Sequence, residues 1–145
     1  MALAAFVASG AQTTLSFDGP GPHVVLLSGD EEYRSEEALP MLAKILNQRH
    51  GFRCTVLFAL DPDGTINPEN QASLPGSEAL ETADAIVMMV RFRQWPDDAM
   101  ARFEQAWLAG KPIVALRTST HAFNFPAGSR WGKYTWNQTK PWPGG

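Results

Sequence analysis

Three short stretches of the chain concentrate the residue types that do chemistry. They are Gly29-Asp30-Glu31-Glu32-Tyr33-Arg34, Arg91-Phe92-Arg93 and Arg117-Thr118-Ser119-Thr120-His121. Together they offer carboxylates, arginines, hydroxyls and one imidazole. A guanidinium presents a planar fork of donors that matches a carboxylate or phosphate, and an arginine–carboxylate mixture also suits sugar hydroxyls. His121 is the candidate for proton transfer, because imidazole titrates near neutrality. Its neighbours Phe123 and Phe125 equally suit a structural histidine. The competing reading of Asp30, Glu31 and Arg91 is that they pair with one another and pin the loops that carry them.

Other chemistries find no residues to do them. His23, His50 and His121 have no partner at ligand spacing, so no metal site is expected. No Walker motif and no G-x-G-x-x-G occurs, so no nucleotide cofactor is expected. Gly19-Pro20-Gly21 precedes a predicted strand, which is the wrong side for a phosphate loop. Cys54, the single cysteine, excludes an internal disulfide or a thiolate cluster, and its place in mid-strand predicts a buried, inert thiol. Asn137-Gln138-Thr139 matches a glycosylation sequon, a pattern short enough to arise by chance.

The order of the surrounding elements is what brings the three stretches together. His23 to Ser28 (HVVLLS) is a short apolar, β-branched run and predicts a buried parallel strand. Ser35 can cap a following helix, with Glu36 and Glu37 in its first turn. Leu39, Leu42, Ile45 and Leu46 fall at helical spacing, Pro40 distorts the first turn, and Gly51 stops the segment. A second strand is predicted over Phe52 to Leu60, then a loop from Asp61 to Gly76 with three prolines and two glycines. A short helix around Ser77 to Glu81 leads to a third strand, Asp84 to Val90. Pro96, Asp97 and Asp98 open a second long helix with Met100, Phe103 and Trp107 on its apolar face, and Gly110 ends it. Pro112 to Leu116 is the fourth strand. Such alternation predicts a parallel sheet with right-handed crossovers and helices on both faces. Ligands of such sheets bind outside the carboxyl ends of the strands, and all three reactive stretches follow a strand.

The chain has 145 residues, 44% hydrophobic and 19% charged, the balance of one globular domain and not of a disordered chain. A net charge of −3 argues against a general nucleic-acid binder. No apolar run approaches a membrane span. Residues 1–12 contain MALAAFVA followed by Ser9, Gly10 and Ala11, and read as the remnant of an export signal; the chain would then be exported, and otherwise cytoplasmic. Residues 13–22 read as a linker, and residues 23–145 as a single domain. From Thr118 onward there are three cations, no acids, three tryptophans and a tyrosine. The aromatic residues around Lys133 and Lys140 could stack on sugars or bases, and the competing reading is that they pack on a missing C-terminal part. The expectation is a domain cut short at its C-terminus, with residues from about Trp131 poorly packed and favouring self-association into a homo-oligomer.

The runs HVVLLSGDEEYRSEEALPMLAKIL, HGFRCTVLF, ADAIVMMVRFRQWPDDAM and KPIVALRTSTHAFNF together resemble the ThuA-like (trehalose-utilisation) domain family. That bacterial family lies within the class I glutamine amidotransferase-like superfamily, and the resemblance covers about residues 23 to 137. It implies a flavodoxin-like, doubly wound α/β fold and a role in carbohydrate metabolism. Amidotransferases carry an elbow of the form P-x-L-G-x-C-x-G-x-Q. Laid on Pro112 to His121, Arg117 falls at the nucleophilic cysteine, Ser119 at a glycine and His121 at the glutamine. Arginine has no lone pair to offer, so glutaminase chemistry is not expected. The expected function is to bind or process a sugar or sugar-derived ligand at the strand-end rim. Arg93, Arg117, Thr118, Ser119 and Tyr33 are then the expected ligand contacts, and Asp30, Glu31 and His121 the expected acid–base groups. The alternatives are a non-catalytic binding module, and a degenerate hydrolase using Ser119 with His121.

Overall fold

The computed structural model describes residues 14–144. Five strands form one mixed sheet: β1 (Thr14–Phe17), β2 (His23–Gly29), β3 (Arg53–Leu57), β4 (Ala85–Val90) and β5 (Ile113–Ala115), in the order β1-β3-β2-β4-β5. β3, β2, β4 and β5 are mutually parallel, and β1 pairs antiparallel with the outer edge of β3. Two long helices, α1 (Ser35–His50) and α2 (Asp97–Leu108), complete the α/β architecture.

β2 shows why both faces must be covered. All seven of its residues are buried. Val24 and Leu26 pack with Leu39 and Ala43 of α1, whereas Val25 and Leu27 pack with Met100 and Phe103 of α2. A strand whose successive side chains alternate between two helices must read as a continuous apolar run. The segment expected to be a linker contributes β1 instead. Leu15 and Phe17 alternate with Thr14 and Ser16 and pack against the α1-side core. The turn between β1 and β2 lies against the end of α1. A Cβ at Gly19 would stand 2.5 Å from the Gly51 carbonyl oxygen, so only glycine permits this approach.

Ser35 does not cap α1. Its hydroxyl accepts from the Asp30 N–H and from the Ser28 hydroxyl, both at 2.9 Å, and so ties the helix start back to β2. Arg34, in the left-handed region at φ 53°, turns the chain into the helix.

Beyond β5 the chain returns over the α2 face. Phe123, Trp131 and Tyr134 are buried there, and Trp142 packs against Phe103, Phe123, Trp107 and Tyr134 at centroid separations of 5.3–6.4 Å. Polar tips find partners on α2: Trp131 Nε1 donates to Asp97 Oδ1 at 2.7 Å, and Tyr134 Oη to Glu104 Oε1 at 2.9 Å. The expected loose packing is therefore corrected for Trp131 and Tyr134, which are buried, and for Trp142, which is partly so, whereas Trp136 and the residues up to Pro141 are exposed. The export-signal reading falls on residues 1–12, outside the described residues. No helix among the described residues is long and apolar enough to cross a membrane.

Two outcomes follow from this packing. Phe123→Ala should cost about 3–5 kcal/mol of unfolding free energy in chemical denaturation, the range for a fully buried aromatic; a loss under about 1 kcal/mol would mean that the return segment does not pack on α2. The second concerns His23, whose pKa burial pulls down from its ordinary value. Its Nδ1 meets the Thr82 carbonyl, which only accepts, so Nδ1 carries the proton and Nε2 accepts from the Thr55 hydroxyl at 2.9 Å. The native state thus resists a second proton that the unfolded chain takes up near pH 6.5. Stability should be full above about pH 6.5 and fall as pH drops below it, and His23→Gln should flatten that slope in urea titrations at pH 5 and 7.

Candidate functional site

The sheet order places a switch point between β2 and β4. The chain leaves β2 through α1 toward β3, and leaves β4 through α2 toward β5. Crevices of this kind open at the carboxyl ends of the two diverging strands. Here the end of β2 delivers Asp30 and Glu31, and the end of β4 delivers Arg91, Phe92 and Arg93.

The crevice is occupied by the protein's own charges. Arg93 is 0% exposed. Its Nη2 meets Glu31 Oε2 at 3.0 Å, its Nε donates to the Arg91 carbonyl at 2.5 Å, and its Nη1 donates to the Pro68 carbonyl at 2.9 Å. Arg91 takes the other carboxylate oxygen, Nη1 to Glu31 Oε1 at 2.5 Å, and its Nε lies 3.4 Å from Glu32 Oε2. Burial pulls the Arg93 pKa down from its ordinary value and the carboxylates of Glu31 and Asp30 pull it back, whereas the bond to Glu31 raises that of Arg91. Gly29 makes room for this arrangement: a Cβ there would stand 3.0 Å from Arg93 Cδ.

Asp30 is also fully committed. Oδ1 accepts the N–H groups of Glu32 at 2.9 Å and Tyr33 at 3.3 Å, and Oδ2 accepts the Thr118 hydroxyl. The Thr118 bond ties the end of β5 to the end of β2 across the end of β4. Ser119 is buried, donating to the Met88 carbonyl at 3.0 Å and accepting from the Val90 N–H at 3.1 Å. Thus Arg93, Asp30, Thr118 and Ser119, expected to face a ligand, are turned inward and hold the strand ends together. Glu31 is nearly so, with 15% of its side chain exposed.

Three expected residues do face solvent. Arg117 leaves β5 with φ 54° and lays its guanidinium over the Tyr33 ring, 4.5 Å from the centroid. Among the described residues it pairs with no carboxylate. His121 is exposed, with Nδ1 2.9 Å from the Thr120 hydroxyl and the ring against Phe92 and Trp136. Ser119 and His121 make no hydrogen bond to each other, so the hydrolase alternative has no assembled pair. Cys54 lies in β3 and is fully buried, and burial raises its thiol pKa, the opposite of an activated nucleophile. Among the described residues, no three His, Cys, Asp or Glu side chains converge to hold a metal ion.

Glu32 and Phe92 also reach this rim and are not singled out by the sequence, and with them stands Trp136, one of the aromatic residues around Lys133 and Lys140. Phe92 gave a weak signal, an apolar residue between two arginines directly after a strand. Trp136 is legible only as one of a set that could stack on a ligand or pack in the core, because an exposed and a buried tryptophan look alike in sequence. Compared with known proteins, the chain matches no family model, no curated protein and no solved structure.

The division between inward and outward charges is testable by stability. Glu31→Ala leaves the Arg93 cation buried without its nearest counter-charge and should cost about 3–5 kcal/mol. Glu32→Ala removes an exposed partner and should cost no more than about 1 kcal/mol. Equal, small losses for both would show that Arg93 reaches water. Gly29→Ala should cost about 1–3 kcal/mol through displacement of Arg93.

Proposed function

We propose that this chain is a ThuA-like domain with a flavodoxin-like fold, which binds a sugar or sugar-derived ligand at the strand-end rim and does not hydrolyse glutamine. The order of the parallel strands, β3-β2-β4-β5, supports the fold assignment, since it is the doubly wound order with β1 added at one edge. The observation that carries the functional reading is Arg117. It ends a strand in a left-handed conformation that a side chain adopts only at a cost, about 1–3 kcal/mol. The reward is position: that turn projects the guanidinium from the end of the sheet, over an aromatic ring and, among the described residues, free of carboxylates. A five-donor fork held in this way suits a polyhydroxyl or anionic ligand.

Binding is favoured over turnover by where the acid–base candidates went. Asp30 is buried with both oxygens used, Glu31 is neutralised by two guanidinium groups, and His121 has no carboxylate to orient it among the described residues. General acid–base work needs a group that is both within reach and free to exchange its proton.

Calorimetric titration with trehalose, glucose and glucose 6-phosphate tests this reading. At least one of them should bind, and Arg117→Ala should weaken it by tenfold or more, the loss of one charge-assisted hydrogen-bonding group. Unchanged affinity in Arg117→Ala would remove Arg117 from the site. Ammonia release from glutamine should be absent in wild type and in Cys54→Ala alike; release by the purified protein would contradict the reading of the elbow.

A further inference from the structure

Phe92, His121 and Trp136 form a cluster that the charged part of the rim does not explain. Their centroids lie 5.5–6.0 Å apart, and the rings are inclined to one another by 46–77°, so they make an open corner and not a flat stack. The corner is at the surface: Trp136 is 46% exposed and His121 is exposed. None of the three belongs to either hydrophobic core.

The corner is nevertheless held firmly. Phe92 has φ 52°, a region that a bulky residue rarely occupies. Its N–H donates to the His121 carbonyl at 2.8 Å, and the Trp136 N–H donates to the Phe123 carbonyl at 2.7 Å. Phe123 is itself fully buried. The Arg91 guanidinium sits 4.5 Å from the Phe92 centroid, and Glu32, half exposed, lies 3.4 Å from Arg91 Nε. The strained turn at Phe92 thus holds a half-buried ring beneath the exposed Trp136 and His121 rings instead of sending it into either core. Fixed rings bordered by the Arg91–Glu32 pair match a ring-shaped ligand with an apolar C–H face and hydroxyls at its edge. Among the described residues the indole N–H groups of Trp131 and Trp107 each have an acceptor, whereas those of Trp136, Trp95 and Trp142 have none.

We propose that this corner is a stacking subsite for a pyranose ring, with the Trp136 ring against the sugar's C–H face and Glu32 accepting from its hydroxyls. The proposal rests on the reading that the rim takes a carbohydrate, and it names the part of the rim that holds the sugar ring. A nucleobase would also stack, and titration with AMP separates that occupant from a sugar.

The test follows the indole N–H resonance of Trp136 during titration with trehalose, maltose, methyl α-glucoside and, separately, AMP. Wild type, Trp136→Ala and Arg117→Ala are compared, with unchanged circular dichroism and Tm establishing that each variant folds. At least one sugar should shift the Trp136 indole resonance, and its affinity should fall at least tenfold in Trp136→Ala. If both variants weaken binding, the subsite and the Arg117 contact both stand. If only Trp136→Ala does, the subsite stands and Arg117 is not a contact. If only Arg117→Ala does, the subsite is overturned while the rim reading survives. Binding of AMP in place of the sugars overturns the subsite, and binding of none of the sugars overturns both.

Discussion

A buried guanidinium organises the carboxyl end of this sheet. Arg93 lies where β2 and β4 diverge, in the crevice that parallel α/β sheets otherwise leave open. An arginine there has to be fully satisfied, because an unpaired buried cation costs several kcal/mol. Its partners come from three places: the Glu31 carboxylate after β2, the Arg91 carbonyl after β4, and the Pro68 carbonyl in the loop between β3 and β4. One side chain thereby fixes the relative positions of the first reactive stretch, the second, and the long proline-containing loop. Gly29 is the concession that lets the guanidinium stem pass.

The third stretch is locked to the same frame by hydroxyls instead of charges. Thr118 reaches Asp30, and Ser119 bridges the Met88 carbonyl and the Val90 N–H. With the inward side of each stretch committed to structure, the outward side is left facing solvent. The backbone marks the boundary. Arg34, Phe92 and Arg117 are the non-glycine residues with positive φ among those described, and they follow β2, β4 and β5 respectively. Strain concentrated where strands end is a usual accompaniment of binding sites. Here it turns Arg117 outward over Tyr33 and Phe92 outward toward His121 and Trp136.

Much of this was legible in the residues, for physical reasons. Apolar β-branched runs such as HVVLLS have few ways to be buried except as central strands, and Gly51 and Gly110 end helices as their positions suggest. β1 was missed because four residues flanked by Gly and Pro look like a linker, although Leu15 and Phe17 alternate as a half-buried edge strand should. Placing the reactive stretches on one rim needed only the strand order. Deciding which charges faced inward needed more. Arg91 and Arg93 are indistinguishable in sequence, and what buries Arg93 includes a carbonyl at Pro68, 25 positions away. The same holds for the tryptophans: Trp131 is anchored by Asp97 on α2, whereas Trp136 has no such partner, and neither fact is local.

The central claim is that Arg93 is a sealed structural strut, whereas Arg117, the residue proposed to meet a ligand, is open to solvent. Side-chain Nε–H exchange with water, measured by NMR on arginine-labelled protein, tests it most directly. The account predicts that the Arg93 Nε–H, donated to the Arg91 carbonyl, is protected and exchanges only as the strand ends open, while that of Arg117 exchanges at the rate of a free guanidinium. Equal, fast exchange at both positions would mean that the crevice is open and that Arg93 belongs to the ligand site after all.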